Sequence, residues 1–228
     1  MSIRKTPFVP GEYYHIYNRG NSKQRIFQSR NDYKRFIDLL YGTNTNQKFN
    51  YFDTNKAGGI FENEIGDKLV SIGAYCLMPN HFHILTTPLS EDGLSRFMQK
   101  LSTAYSMYFN ETHKRTGGLF EGKFKSQHLE TDRQLKYLFS YIHLNPIKLI
   151  DRKWKENGIT DLKKSLEYLN TYSYSSFLDY IGEVRKEKAI LNLADFPNYF
   201  PSENHFKREI IDWLSYREAR PNDKLKKS

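Results

Sequence analysis

The chain has 228 residues, with 35 Lys and Arg against 26 Asp and Glu, for a formal net charge of +9. That length suits one large domain, or one domain with an appendage, and is enough to bury a real core. Seventeen tyrosines and 16 phenylalanines argue against disorder, no apolar run is long enough for a membrane-spanning helix, and the lone Cys76 excludes paired-cysteine zinc modules and suits a reducing compartment.

The opening MSIRKTPFVPGEYY carries no apolar leader core, so a cytoplasmic protein is expected. Residues 1–35 hold eight basic and two acidic residues, interleaved with Tyr13, Tyr14, Tyr17, Phe27 and Tyr33. Positive charge on a ribbon that also offers stacking faces fits single-stranded nucleic acid better than a membrane. Tyr13 to Asn18 reads as a strand, ended by the turn-forming Asn18-Arg19-Gly20-Asn21. A helix follows near Asn31, with Tyr33, Phe36, Ile37 and Leu40 on one stripe. The polar, Asn-rich stretch at about 43–67 reads as an insertion with room for a short hairpin. Two strands come next, Leu69–Cys76 and His81–Thr87. The first is apolar on both faces, which predicts a central strand. Ser90 is placed to cap a helix with the stripe Leu94, Phe97, Met98, Leu101, Tyr105 and Tyr108. A basic, glycine-containing loop spans His113–Lys125. A strand near Phe124–Glu130 and a helix from Asp132 to about Leu144, capped by Thr131, complete a β-α-β-β-α-β-α order. This predicts an α+β fold with one antiparallel sheet. Residues 151–228 read as an extension packed on a 1–150 core through Tyr172, Phe177 and Tyr180. A short amphipathic helix spans His205–Tyr216, and the last dozen residues are expected to be disordered.

Two short motifs carry candidate chemistry. In Pro79-Asn80-His81-Phe82-His83 the strand period of two puts His81 and His83 on one face and Phe82 on the other. Two neutral imidazoles at that spacing can share a divalent cation, and they can equally be two histidines of a half-buried strand. In Tyr141-Ile142-His143-Leu144-Asn145-Pro146 the helical spacing of four aligns Tyr137, Tyr141 and Asn145 along one shoulder. Tyr137 lies further from the apolar stripe and should point to solvent. A core-edge tyrosine and a helix-ending Asn-Pro explain this motif as readily as function does. Taken together, the His pair and Asn145 offer the donors for a three-ligand cation site with open positions, with Tyr141 as the candidate nucleophile one turn away. Basic loops point to a phosphodiester substrate.

YCLMPNHFHILTTP, GLFEGKFKS and YIHLNP resemble the single-tyrosine (Y1) HUH transposases of the IS200 kind, and more closely the REP-associated tyrosine transposases. YYHIYNRGN is a further match, the similarity covers roughly residues 8–150, and YSYSSFLDYIG resembles the C-terminal extension of the REP-associated branch. The resemblance implies a ferredoxin-like antiparallel sheet with helices packed on one face. It further implies His81, His83 and Asn145 as ligands of Mg²⁺ or Mn²⁺, Phe82 at the hydrophobic position between the histidines, and Tyr141 as nucleophile. The activity implied is cleavage and rejoining of single-stranded DNA beside a hairpin, through a 5′-phosphotyrosine intermediate. Arg19, Arg25, Lys123 and Lys125 are candidate phosphate contacts by charge and loop position. The 43–67 insertion and the long extension depart from the short insertion-sequence enzymes, which are dimers. The extension is expected to occlude that surface and favour a monomer, with a homodimer as the alternative. A domesticated, non-catalytic hairpin-DNA-binding protein of the same fold is the rival reading.

Overall fold

The computed structural model describes residues 7–56 and 58–215. Four strands, β1 (Tyr14–Arg19), β2 (Val70–Met78), β3 (His81–Pro88) and β4 (Lys125–His128), form one antiparallel sheet in the order β2-β3-β1-β4. Helices α1 (Arg30–Gly42), α2 (Tyr51–Lys56), α3 (Gly93–Thr112) and α4 (Asp132–Leu144) are interspersed with them. Four more follow: α5 (Trp154–Asn157), α6 (Leu162–Thr171), α7 (Phe177–Tyr180) and α8 (Glu203–Ser215). The expected disordered last dozen residues lie outside the described residues.

Local chemistry fixes the helix starts. Ser29 and Asp32 form a reciprocal capping box on α1, and Thr131 and Gln134 form another on α4. For α3 the cap position falls on Asp92 rather than Ser90, whose hydroxyl donates to the Asp92 carboxylate at 3.1 Å. Gly93 opens the helix at a point where a Cβ would lie 2.4 Å from the Leu69 carbonyl oxygen. Only glycine lets the helix start against the entry to β2.

Strand parity divides the core into two layers. Tyr14 and Ile16 of β1, with Phe82 and Ile84 of β3, pack with Phe36, Leu40, Phe97, Leu101 and Tyr105 of α1 and α3. On the other face Ala74, Cys76, Met78 and Leu85 pack against Leu135, Leu138, Phe139 and Ile142 of α4. The sequence reading places helices on one face; α1 and α3 form that layer, and α4 adds a second on the opposite one. On β2 a bulge between Ile72 and Ala74 resets the alternation, so Ile72 and Tyr75 share a layer. Gly73 occupies the bulge, where a Cβ would meet the Phe196 ring at 2.8 Å.

β2 is an edge strand of this sheet, not a central one. Its outer edge is nevertheless covered, which is why it tolerates apolar residues throughout. Leu77 N–H donates to the Tyr174 carbonyl at 2.9 Å, Ser176 N–H to the Tyr75 carbonyl at 3.0 Å, and Asn192 N–H to the Ile72 carbonyl at 3.0 Å. Tyr172 donates its hydroxyl to the Leu77 carbonyl at 2.6 Å, and Tyr180 to that of Gly73 at 2.7 Å. Phe177 sits in a third cluster with Leu144, Trp154 and Phe206. Among the described residues of 43–67 no strand forms; the stretch holds α2 and a 3-10 turn at Ile60–Glu62. Asn44 ties it down by accepting from Leu69 and Val70 N–H and donating to the Val70 carbonyl at 2.8 Å.

Arg185 is the knot that holds the 172–192 segment to β2. Its guanidinium grips the Asp179 carboxylate through two nitrogens and donates to the Ser173 and Ser175 carbonyls and the Tyr75 hydroxyl. The side chains are 11% and 1% exposed. Removing one partner of such a buried pair strands the other charge, at a cost of about 3–5 kcal/mol. Arg185→Met is therefore expected to lose about that much stability by urea denaturation; a loss under about 1 kcal/mol would show that the clamp is not what fastens the segment.

Candidate active site

The α4-facing side of β1 and β3 carries a cluster of rings. Pairing sets Tyr17 opposite His83 and Arg19 opposite His81. With the two-residue period this puts His15, Tyr17, His81 and His83 on one face, beside Tyr141 of α4. The His81 and His83 rings are 5.0 Å apart and edge to face. Tyr141 presents its ring 5.5 Å from His83 and 6.0 Å from His15. The structure thus brings Tyr141 to the histidine strand.

Hydrogen bonds fix how the imidazoles point. The Asn80 side-chain nitrogen donates to the Lys23 carbonyl at 3.2 Å, which turns its oxygen towards His81 Nδ1 at 2.7 Å. An amide oxygen can only accept, so His81 donates from Nδ1 and keeps a lone pair on Nε2. His83 Nδ1 lies 2.8 Å from His15 Nε2, one ring donating to the other. His15 and His83 are 7% and 6% exposed. Burial lowers the His15 pKa to about 3. Burial, followed by the charges of Lys148 and Arg19, lowers His81 to about 4. His83 is pushed well down by burial first, then by His15, His81, Lys148 and Lys155. All three imidazoles are neutral near pH 7, the form that can ligate a metal.

Asn145 follows the last residue of α4 and begins the 3-10 turn Asn145–Leu149, which packs against β2. It is fully buried, and its side-chain nitrogen donates to the Tyr141 carbonyl at 2.9 Å. Its side-chain oxygen Oδ1 is also buried and has no hydrogen-bond partner. A buried carbonyl oxygen left unsatisfied is costly unless something else binds it. Neutral imidazole nitrogens and an orphan amide oxygen are donor types that a divalent cation accepts. The described residues hold no cluster of three His, Cys, Asp or Glu that would serve instead.

The other tyrosines sort by position. Tyr105 is fully buried on the opposite side of the sheet and donates its hydroxyl to the Ile26 carbonyl, while Tyr108 donates to Asp32 at 3.1 Å. Tyr137 does not point to solvent as expected. Its ring lies 6.0 Å from that of Tyr141 and 5.1 Å from that of Trp213, because α8 packs on α4 and covers it.

A cleft of about 340 Å³ opens beside His81, bounded by Tyr17, Arg19, Lys23, Glu121 and Lys125. Of the candidate phosphate contacts, Lys125 and Arg19 line it, but the Arg19 guanidinium is engaged by Glu121, with Nη2 to Oε1 at 3.0 Å. Arg25 and Lys123 are exposed and do not line it. Sequence reasoning missed three residues of this region. His15 shares a face with Tyr17 by strand parity, a signal the sequence carries. Lys148 and Lys155 hold their ammonium groups 5.8 and 3.9 Å from the centre of the Tyr141 ring and come from a 3-10 turn and the one-turn helix α5, which no periodicity marks.

The sequence profile of the family described as "Transposase IS200 like" matches residues 9–145. No curated protein matches the chain. A solved structure of a REP-associated tyrosine transposase bound to a REP hairpin is similar at 13% identity, over 82% of this chain and 90% of that one, with a TM-score of 0.47. No helix among the described residues is long and apolar enough to cross a membrane. The profile match runs through the whole sheet and α4 and ends on Asn145 itself, and on that match the chain belongs to the IS200-like transposase family.

Proposed function

We propose that this transposase is a metal-dependent endonuclease and strand transferase for single-stranded DNA, with Tyr141 as nucleophile and His81, His83 and Asn145 as metal ligands. The observation that carries the reading is the buried, unpartnered Oδ1 of Asn145, one helical turn from a tyrosine packed against His83. Mg²⁺ or Mn²⁺ at these ligands would supply Lewis-acid polarisation of the scissile phosphate, and the two imidazoles favour Mn²⁺.

The rest is done by the chain. Tyr141 Oη attacks phosphorus; the new O–P bond forms as the P–O3′ bond breaks, the phenol proton leaves to water, and the 3′ oxygen takes one from water. The product is a 5′-phosphotyrosine ester and a free 3′-hydroxyl. Because the ester is retained, another 3′-hydroxyl can reverse the step and join strands, which an activated water could not allow. Asn80 and His15 act as outer partners, engaging Nδ1 of His81 and His83 and leaving Nε2 of each as the nitrogen that would hold the metal. The family resemblance supports a DNA hairpin as the recognition element, and the basic cleft beside His81 supports a single strand running past it. A monomer in a cytoplasmic setting is the proposed state; for the monomer, the 172–192 segment occupies the β2 edge and removes it as a pairing surface for a second sheet.

The assay uses single-stranded DNAs that each carry a GC-rich hairpin with randomised flanks, incubated with Mn²⁺ and resolved under denaturing conditions. Wild type is expected to give a denaturation-resistant protein–DNA adduct, and EDTA to abolish it. Tyr141→Phe should give none, while Tyr137→Phe and Tyr17→Phe retain it; adduct formation by Tyr141→Phe would end the tyrosine mechanism. Tight hairpin binding by wild type with no cleavage under any divalent metal would favour a non-catalytic binding protein.

The outer partner is tested separately by manganese binding followed by electron paramagnetic resonance. His15→Phe removes the hydrogen bond to His83 and is expected to weaken Mn²⁺ binding roughly 10–100-fold. Unchanged affinity would remove His15 from the metal site. Sedimentation velocity should return a single species of monomer mass; a tight dimer would overturn the monomer without touching the chemistry.

A further inference from the structure

We infer that Lys148 and Lys155 form an anion site that holds the scissile phosphate against Tyr141, so that the segment beyond the matched family region completes the active site. The inference rests on the proposed nucleophile, and adds a phosphodiester-binding site to it.

Two independent observations converge on these lysines. The first is placement: both ammonium groups stand over one tyrosine ring, at 3.9 and 5.8 Å from its centre. The second is how the two side chains are anchored. Each lysine hangs from a buried neighbour. Lys148 follows Pro146 and Ile147 in the 3-10 turn after α4, and Lys155 follows Trp154, which is 3% exposed in a cluster with Leu144, Ile147 and Leu169. These anchors fix where the two side chains start, so the charges are positioned rather than trailing in solvent. Both lysines are themselves only half-exposed.

Cations gathered beside buried neutral imidazoles raise the local potential, and an anion entering between them lowers it. The anion this site would take has the charge of a phosphodiester, because the ring beneath the lysines is the proposed nucleophile. Compact ammonium groups suit a single phosphate as point charges. The basic cleft includes His81, so a strand lying in it would pass the histidine strand against which Tyr141 packs. The alternative is that each lysine merely packs on the tyrosine ring. That arrangement would stabilise the fold but would not be sensed by DNA.

The experiment compares Lys148→Gln/Lys155→Gln with wild type in three readouts. Binding of a fluorescein-labelled dT20 oligonucleotide is followed over a range of salt concentrations. The slope of log affinity against log salt should shrink by roughly 0.7, for the one phosphate no longer neutralised. Adduct formation on the hairpin DNA best cleaved by wild type should slow on the order of 100-fold at saturating DNA. Mn²⁺ affinity should not fall. Lys148→Arg/Lys155→Arg should restore the salt slope. If the glutamine pair melts early, Lys155→Gln alone should lower the slope in the same direction, by up to about 0.7. An unchanged slope in a folded variant, a saturating rate equal to wild type with only half-saturation moved, or a tenfold loss of Mn²⁺ affinity would each overturn the phosphate site. Wild type that forms no adduct at all sinks the nucleophile reading instead, and the dT20 slope then still decides whether the lysines bind a phosphodiester.

Discussion

A one-residue slip between β1 and β3 would turn His81 and His83 into the apolar layer beneath α1 and α3 and expose Phe82 and Ile84 in their place. The register that sets Tyr17 opposite His83 is therefore the constraint on which the site depends. It is enforced mostly by residues with no chemistry of their own. Ile16, Phe82 and Ile84 are fully buried, and Phe82 meets Phe36 at 5.0 Å, so the slipped pairing would forfeit that burial. The histidines are held in place by the burial of the alternate positions. The same alternation carries Leu85 and Cys76 to the α4 side, where they help seat the helix that bears Tyr141.

A second dependence runs through the segment after α4. It closes the β2 edge, sets Phe196 against the bulge at Gly73, and fastens itself with the Arg185–Asp179 clamp. Its first turns also deliver Lys148 and Lys155 to Tyr141. Edge protection and site construction are thus two results of one stretch of chain. A family domain ending at Asn145 would have neither the covered edge nor the lysines.

Much of this is legible in the sequence because it depends on local periodicity. The face shared by His81 and His83, the alignment of Tyr141 with Asn145, and the Thr131 cap follow from a strand period of two, a helical period near four and a capping box. What escapes depends on pairings between distant segments. His15 lies 68 residues from His83, and only the β1–β3 register joins them. β2 reads as central because its apolar run does not reveal whether a strand or an irregular segment covers its edge. Tyr137 reads as solvent-facing when its helix is taken without α8, whose Trp213 covers it. Ser90 has the chemistry of a cap, but its hydroxyl donates to the Asp92 carboxylate and the helix starts three residues later.

On the proposed chemistry Tyr141, and not a neighbouring ring, becomes covalently joined to DNA. Mass spectrometry on the trapped adduct, digested with nuclease and trypsin and sequenced by fragmentation, tests it most directly. The predicted result is a 5′-nucleotide mass on the peptide Tyr137–Lys148, localised by its fragment ions to Tyr141. A nucleotide on Tyr137 or Tyr17, or DNA cleaved with every tyrosine unmodified, would contradict it.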